Sequence, residues 1–297
     1  MMVATLHPKA LLTPKELAEA IGASESSMRR WVDSGDIRIS RTAGGHRRIP
    51  LPEAIRFIRQ LGAPVVRPDL LGLGEIGGVS TTPAGTNDEE LLFEQLRNGD
   101  ERAAKGLLIS RYLEGLSLPA LFDGAISSAL RRLGDLWHHD PRTILLEHRA
   151  TAICIEAVAM LRGLLPSPAD DAPLALGGAP QGDPYLIPSM MVGAVLSSVG
   201  FRDVNFGGNT PIDLLAKEAV ERKAKLVWLS VSTEQAEATL RDPLAQAARL
   251  LDHHEIRLVL GGRHHAGLVP EELRNVRSVA SMAELDSLAR DFVAGKG

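Results

Sequence analysis

From Thr13 to Leu61 the apolar positions fall into three short helical blocks and one alternating block. Thr13-Pro14-Lys15-Glu16 has the form of a capping box, with proline at the first helical position. Leu17, Ala20 and Ile21 give this helix an apolar face, and Gly22 closes it. Ser24 caps a second helix, Glu25 to Asp33, so a tight turn at Gly22-Ala23 joins two short helices into a helix-turn-helix. Ile37 to Arg41 alternates apolar and polar, Gly44-Gly45 can turn, and His46 to Ile49 returns. That pattern predicts a short hairpin, or wing. Pro52 then opens a third helix, whose face carries Ile55, Phe57, Ile58 and Leu61.

Residues 63–87 mix Pro, Gly, Ser and Thr without a period and read as a flexible linker. Over 88–165 the helical period returns in four stripes. Leu91, Leu92 and Leu96 form the first, and Leu107, Leu108, Tyr112 and Leu116 the second. Ile126, Leu130, Leu133 and Trp137 form the third, and Ile144, His148, Ala152, Ile155 and Ala159 the fourth. Short connections between them predict a four-helix bundle. After a Pro/Asp-rich joint at 166–173 the texture changes. Five apolar runs, 174–176, 204–206, 226–229, 257–260 and 276–279, alternate with helical patterns up to 294. This predicts a five-stranded parallel sheet covered on both faces, so the fold class is multidomain α and α/β. The expected domains are 1–62, 88–165 and 166–297, joined at 63–87.

A parallel sheet offers its ligand crevice beyond the carboxyl ends of its strands. Four loops are predicted there: 177–188, 207–210, 230–233 and 261–265. The first carries Asp183 and Tyr185 among prolines, and the third and fourth contribute Ser230, Gly261 and Gly262.

Charge changes the picture of the head. The chain has a formal net charge of −4, yet residues 1–63 hold ten Lys/Arg against six Asp/Glu. A basic head on an acidic body points to a polyanion met by the head alone. Arg29, Arg30, Arg41, His46, Arg47 and Arg48 lie on the second helix and the wing and are the candidate DNA contacts. Arginine serves phosphates well, and one or two could reach guanine edges. The single cysteine, Cys154, rules out an internal disulfide and any multi-cysteine metal site, and reads as a small core residue. The adjacent pairs His138-His139, His253-His254 and His264-His265 lack the spacing that puts two imidazoles on one metal. Nucleophile triads, Walker loops and paired-carboxylate signatures are absent from the sequence, so no enzyme reading is carried forward. No apolar run is long enough for a membrane span and no signal peptide is seen, so a cytoplasmic protein is expected.

Residues 10–62, above all "MRRWVDSGDI" followed by "GGHRRI", resemble the winged helix-turn-helix of the MerR family. A bundle and a five-stranded α/β domain behind such a head resemble the CarH and LitR group of B12-dependent, light-responsive regulators. The resemblance implies a flavodoxin-like, cobalamin-binding-like sheet domain. In that group a Trp is followed after nine residues by Glu-His; here Trp137 precedes Glu147-His148 at that spacing. By resemblance Trp137 would shield the upper face of a corrinoid and His148 would be a ligand available after photolysis.

The family's Asp-x-His-x-x-Gly motif, whose His binds cobalt from below, is degenerate. Asp183, Tyr185 and Pro188 stand at its three positions. A tyrosine is a poor partner for a corrinoid cobalt, and a proline ring fills space the family leaves open. Three readings of the body stay open at this point. It binds adenosylcobalamin without a protein lower ligand, or binds another planar molecule, or binds no cofactor and acts through protein contacts. The last is carried forward. The expected function is a DNA-binding transcription regulator whose body controls oligomerisation. Its expected partners are double-stranded DNA, further copies of the chain and a regulatory protein, with no membrane. The alternatives are a B12- or other chromophore-dependent regulator and a corrinoid carrier.

Overall fold

The structure is a computed structural model that describes residues 10–74, 87–137, 143–265, 268 and 274–295. The chain divides into two compact units, Met1–Pro166 and Ser167–Gly297.

The first unit begins with the head. Helix α1 (Pro14–Ala20) starts on the predicted capping box. The Glu16 N–H donates to Thr13 Oγ1 at 3.1 Å, and the Thr13 N–H donates to the Glu16 carboxylate at 2.8 Å. Such a cap stabilises a short helix by about 1 kcal/mol. Gly22 takes a left-handed φ of +66° and turns the chain toward α2 (Glu25–Asp33), which Ser24 caps. The wing strands β2 (Ser40–Arg41) and β3 (Arg47–Pro50) pair antiparallel. A two-residue strand that the pattern is too short to reveal, β1 (Leu11–Leu12), pairs with the other edge of β3. Helix α3 (Leu51–Leu61) presses Ile55 and Ile58 into a core shared with Leu17, Met28, Ile37 and Ile49. Half-buried Trp31 of α2 meets Phe57 of α3 at a ring separation of 5.1 Å.

The start of the stretch expected as a flexible linker is folded onto the head. The Val66 and Arg67 N–H groups both donate to the Ala20 carbonyl. Pro68–Leu71 forms a 3-10 helix, and Leu71 and Leu73 are buried. Leu71 and Leu73 give this segment apolar anchors that its Pro/Gly content conceals. Residues 75–86 lie outside the described residues.

The bundle follows as four helical segments. They are α4 (Asp88–Asn98), α5 (Glu101–Leu113), a third that runs from α6 (Leu118–Ala120) through a π-helical turn (Leu121–Ile126) into α7 (Ser127–Trp137), and α8 (Ile144–Gly163). Beyond its first turn, helix α5 is buried on almost every side, Lys105 and Arg111 included. Lys105 pairs with Glu101 and Glu156, and Arg111 with Asp88 and Glu114, so both buried cations are compensated by carboxylates nearer the surface. Arg59 of α3 lies over the Tyr112 ring at 3.9 Å and donates to the carbonyls of Tyr112 and Leu116 at the end of α5. Burial lowers the guanidinium's pKa and raises that of the Tyr112 phenol.

The packed face of the fourth helix is not the expected stripe. Helix α8 buries Ala150, Ile153, Cys154, Ala157, Val158 and Leu161, whereas Ile144, His148, Ala152 and Ala159 are exposed and Ile155 is half-buried. This helix is apolar almost all round, so its period alone does not single out the packed face.

The second unit is the predicted parallel sheet, with every strand near its expected place. Its strands are β4 (Leu174–Gly178), β5 (Arg202–Asn205), β6 (Leu226–Ser230), β7 (Arg257–Gly261) and β8 (Val276–Ser278). They lie in the order β5-β4-β6-β7-β8. Helices α9 (Ile187–Val199) and α12 (Met282–Val293) pack together, as do α10 (Ile212–Glu221) and α11 (Glu234–His253). The latter pair covers a core that includes Leu176, Val227, Leu229, Leu258 and Leu260. Strand order reverses between β4 and β6, which puts the topological switch point at the loops after those two strands.

Candidate nucleic-acid interface and sheet-edge site

In the head, Arg29 and Arg30 of α2 and Arg41 and His46 of the wing are exposed. Arg47 and Arg48 of β3 are half-buried. Ion pairs are absent for Arg29 and Arg30 among the described residues, and the Arg41 guanidinium reaches only the Gly45 carbonyl, at 3.4 Å. Arg48 donates to the Arg47 carbonyl, whereas the Arg47 side chain is engaged by Asp33, Nη1 to Oδ1 at 2.9 Å. Between α1, α2 and β3 opens a cleft of about 390 Å³, lined by Lys15, Met28, Arg29, Val32 and Arg47 among others. Unpaired guanidinium groups on a helix and a wing are free to take phosphates or base edges.

The sheet edge is arranged the other way. Asp183 is fully buried. Its Oδ1 accepts the Tyr185 N–H at 3.1 Å and its Oδ2 accepts the Ser232 N–H, while its own carbonyl accepts the Asn209 N–H at 2.9 Å. One residue thereby ties together the loops after β4, β5 and β6, across the switch point. The Gly182 N–H donates to Asn209 Oδ1, which adds a second link. Gly208 approaches so closely that a Cβ there would lie 3.0 Å from the Asp183 carbonyl. Below the loops, Gly177 of β4 faces Trp228 of β6; a Cβ at 177 would sit 2.2 Å from the indole and from the Trp228 carbonyl. The indole is buried and its Nε1–H donates to Asp203 at 3.0 Å.

Of the other sheet-edge candidates, Ser230 is buried, and Gly261 and Gly262 turn the chain after β7, Gly262 with φ +97°. Tyr185 is half exposed, with Leu186 and Phe206 exposed beside it in the same loop cluster. In the first unit, Glu147 is half-buried and His148 exposed on the first turn of α8, so His148 does not lie on the buried stripe expected of it. Trp137 ends α7, and its side chain lies outside the described residues. Cys154 is buried, and desolvation pushes its thiol up to about 12, which removes it as a nucleophile near neutral pH.

Sequence reasoning missed two residues, Asp33 and Ser232. Asp33 left a signal, a carboxylate on the last residue of a helix, where the dipole disfavours it. Ser232 acts through its backbone and left none. Among the described residues no cluster of three or more His, Cys, Asp or Glu suits a metal ion, and no helix is long and apolar enough to cross a membrane.

Comparison with known proteins gives two family matches, a helix-turn-helix domain over residues 11–60 and a B12 binding domain over 89–162. The chain is 25% identical over 241 residues to the HTH-type transcriptional repressor CarA of Myxococcus xanthus, covering 79% of this chain and 81% of that protein. In fold it resembles the monomethylamine corrinoid protein of Methanosarcina barkeri, with a TM-score of 0.55 at 17% identity over 70% of this chain and 100% of that one. The two domain matches and the similarity to CarA together support a CarH-type regulator, with a helix-turn-helix head ahead of a cobalamin-binding-type module.

Proposed function

We propose that this chain is a DNA-binding transcription regulator, not an enzyme, whose body controls how copies assemble. The observation that carries this reading is the exposed, unpaired arginine pair of α2 beside a cationic wing. Arg29 and Arg30 enter the major groove with α2, and Arg41, His46, Arg47 and Arg48 follow the flanking backbone. The similarity to a transcriptional repressor supports the same class of role here. Heads of this kind bind paired half-sites, so two or more copies meet on one duplex. Linking heads raises their effective concentration, and a small change in body pairing then changes occupancy strongly. Such a regulator works beside cytoplasmic DNA, with other copies and a regulatory protein as its partners.

We infer further that the body works without a corrinoid ligated by a histidine of the sheet. The side chain at the lower-ligand position is the phenol of Tyr185, half exposed to solvent. Pro188 stands in the first turn of α9, and both Asp183 oxygens are taken by backbone N–H groups. Trp228 fills the space over Gly177 of β4. These residues do not fit a cobalt centre held from below by imidazole, which favours protein contacts as the body's means of control. A carrier role would use the bundle and sheet but leaves the cationic head without a purpose.

Selection of duplexes from a randomised pool by the full-length chain tests the first claim, followed by sedimentation with the selected duplex. Enrichment of one sequence class, with at least two chains per duplex, is the expected result. Failure to retain any duplex at low salt contradicts it.

A further inference from the structure

Arg47 is the one wing arginine held by a carboxylate among the described residues, and the carboxylate comes from the DNA-reading helix itself. Two features show that Asp33 is not there for the helix. It is the last residue of α2, where the helix dipole opposes a negative charge. It also makes no capping bond, the turn being closed by the Ser34 N–H to the Arg30 carbonyl. What it does meet is Arg47, which lies directly opposite a second cation, Arg41, in the β2–β3 register. Like charges in that position repel. Asp33 neutralises one of them and leaves Arg41 free.

We propose that Asp33 is a specificity-determining residue, one that withholds Arg47 from phosphates until α2 is seated in the groove. The pair is accessible, with 37% of the Arg47 side chain and 53% of the Asp33 side chain exposed, so a phosphate can compete for the guanidinium. On arbitrary DNA the wing engages loosely and Arg47 stays with Asp33. On a site where α2 fits, the backbone comes close enough for Arg47 to exchange partners. The acidic residue thereby lowers the sequence-independent, salt-dependent part of the affinity and spares the part that reads bases. This rests on the reading of the head as a DNA-binding domain.

The test is a double-mutant cycle on the full-length chain, read as the slope of log affinity against log salt for a random-sequence duplex. Asp33→Asn is expected to steepen that slope by about 0.9, the value of one added phosphate contact. In an Arg47→Ala background the same substitution is expected to change the slope far less. Equal steepening in both backgrounds would show Asp33 to be a general local charge and overturn the proposal, as would an unchanged slope in the single variant. Asp33→Ser provides a second variant should Asp33→Asn unfold the head, which a circular dichroism melt reports. If the wild-type chain binds no duplex at any salt, the DNA-binding reading fails and this inference with it. If it binds but the cycle shows no coupling, this inference alone fails.

Discussion

The head and the carboxyl edge of the sheet handle their polar side chains in opposite ways. In the head, Arg29, Arg30, Arg41 and His46 stand in solvent on a helix and hairpin fixed by small, local devices. At the sheet edge, Asp183 has no exposure and spends both carboxylate oxygens on backbone N–H groups of the protein itself. One surface leaves its hydrogen-bonding capacity open to a partner, and the other uses it to close its own loops. The contrast matters because the sheet edge is where folds of this type usually bind, whereas here exposed arginines without ion pairs stand together on the helix and wing of the head.

The largest expected effect is at the closed edge. Asp183→Ala leaves the Tyr185 and Ser232 N–H groups without their acceptor and should destabilise the sheet unit by about 3 kcal/mol. Hydrogen exchange at those two amides, with a denaturant melt, measures it; a cost below about 1 kcal/mol would mean that the loops do not depend on this residue. Gly177→Ala comes next. A methyl group there meets the Trp228 carbonyl as well as the indole, so β4 and β6 must part and about 2 kcal/mol should be lost. An unchanged melt would show that the indole can move aside and that the space it fills is available. The smallest effect on stability, and the largest on binding, is expected in the head. Arg41→Ala should leave the melt within about 0.5 kcal/mol of wild type while flattening the salt dependence of DNA binding by about 0.9. If it costs stability instead, the head's arginines are structural and the contrast collapses.

What was legible in the sequence was whatever rests on neighbours along the chain. The capping box of Thr13 and Glu16, the turn at Gly22 and the five strand runs all depend on residues a few places apart, and each is found where expected. The packed face of α8 was not legible, because apolar residues occur on several faces of this helix and its neighbours choose one. Nor was the fold of 66–73, which is held by the Ala20 carbonyl far back in the chain and buries Leu71 and Leu73. Within the candidate sites, the cations of the head could be named from composition and order. The role of Asp183 could not, because its second oxygen is claimed by a backbone amide 49 residues further along the chain. The sequence points to a carboxylate in a ligand loop, and packing turns it into a strut.

The most direct test is a titration of a fluorescent duplex with the full-length chain, with and without adenosylcobalamin, in the dark and after green illumination. The expected result is tight, salt-dependent binding whose isotherm is the same under all of these conditions. An isotherm that moves with the corrinoid, or with light in its presence, would contradict control through protein contacts without a corrinoid, and absence of binding would contradict the head's role.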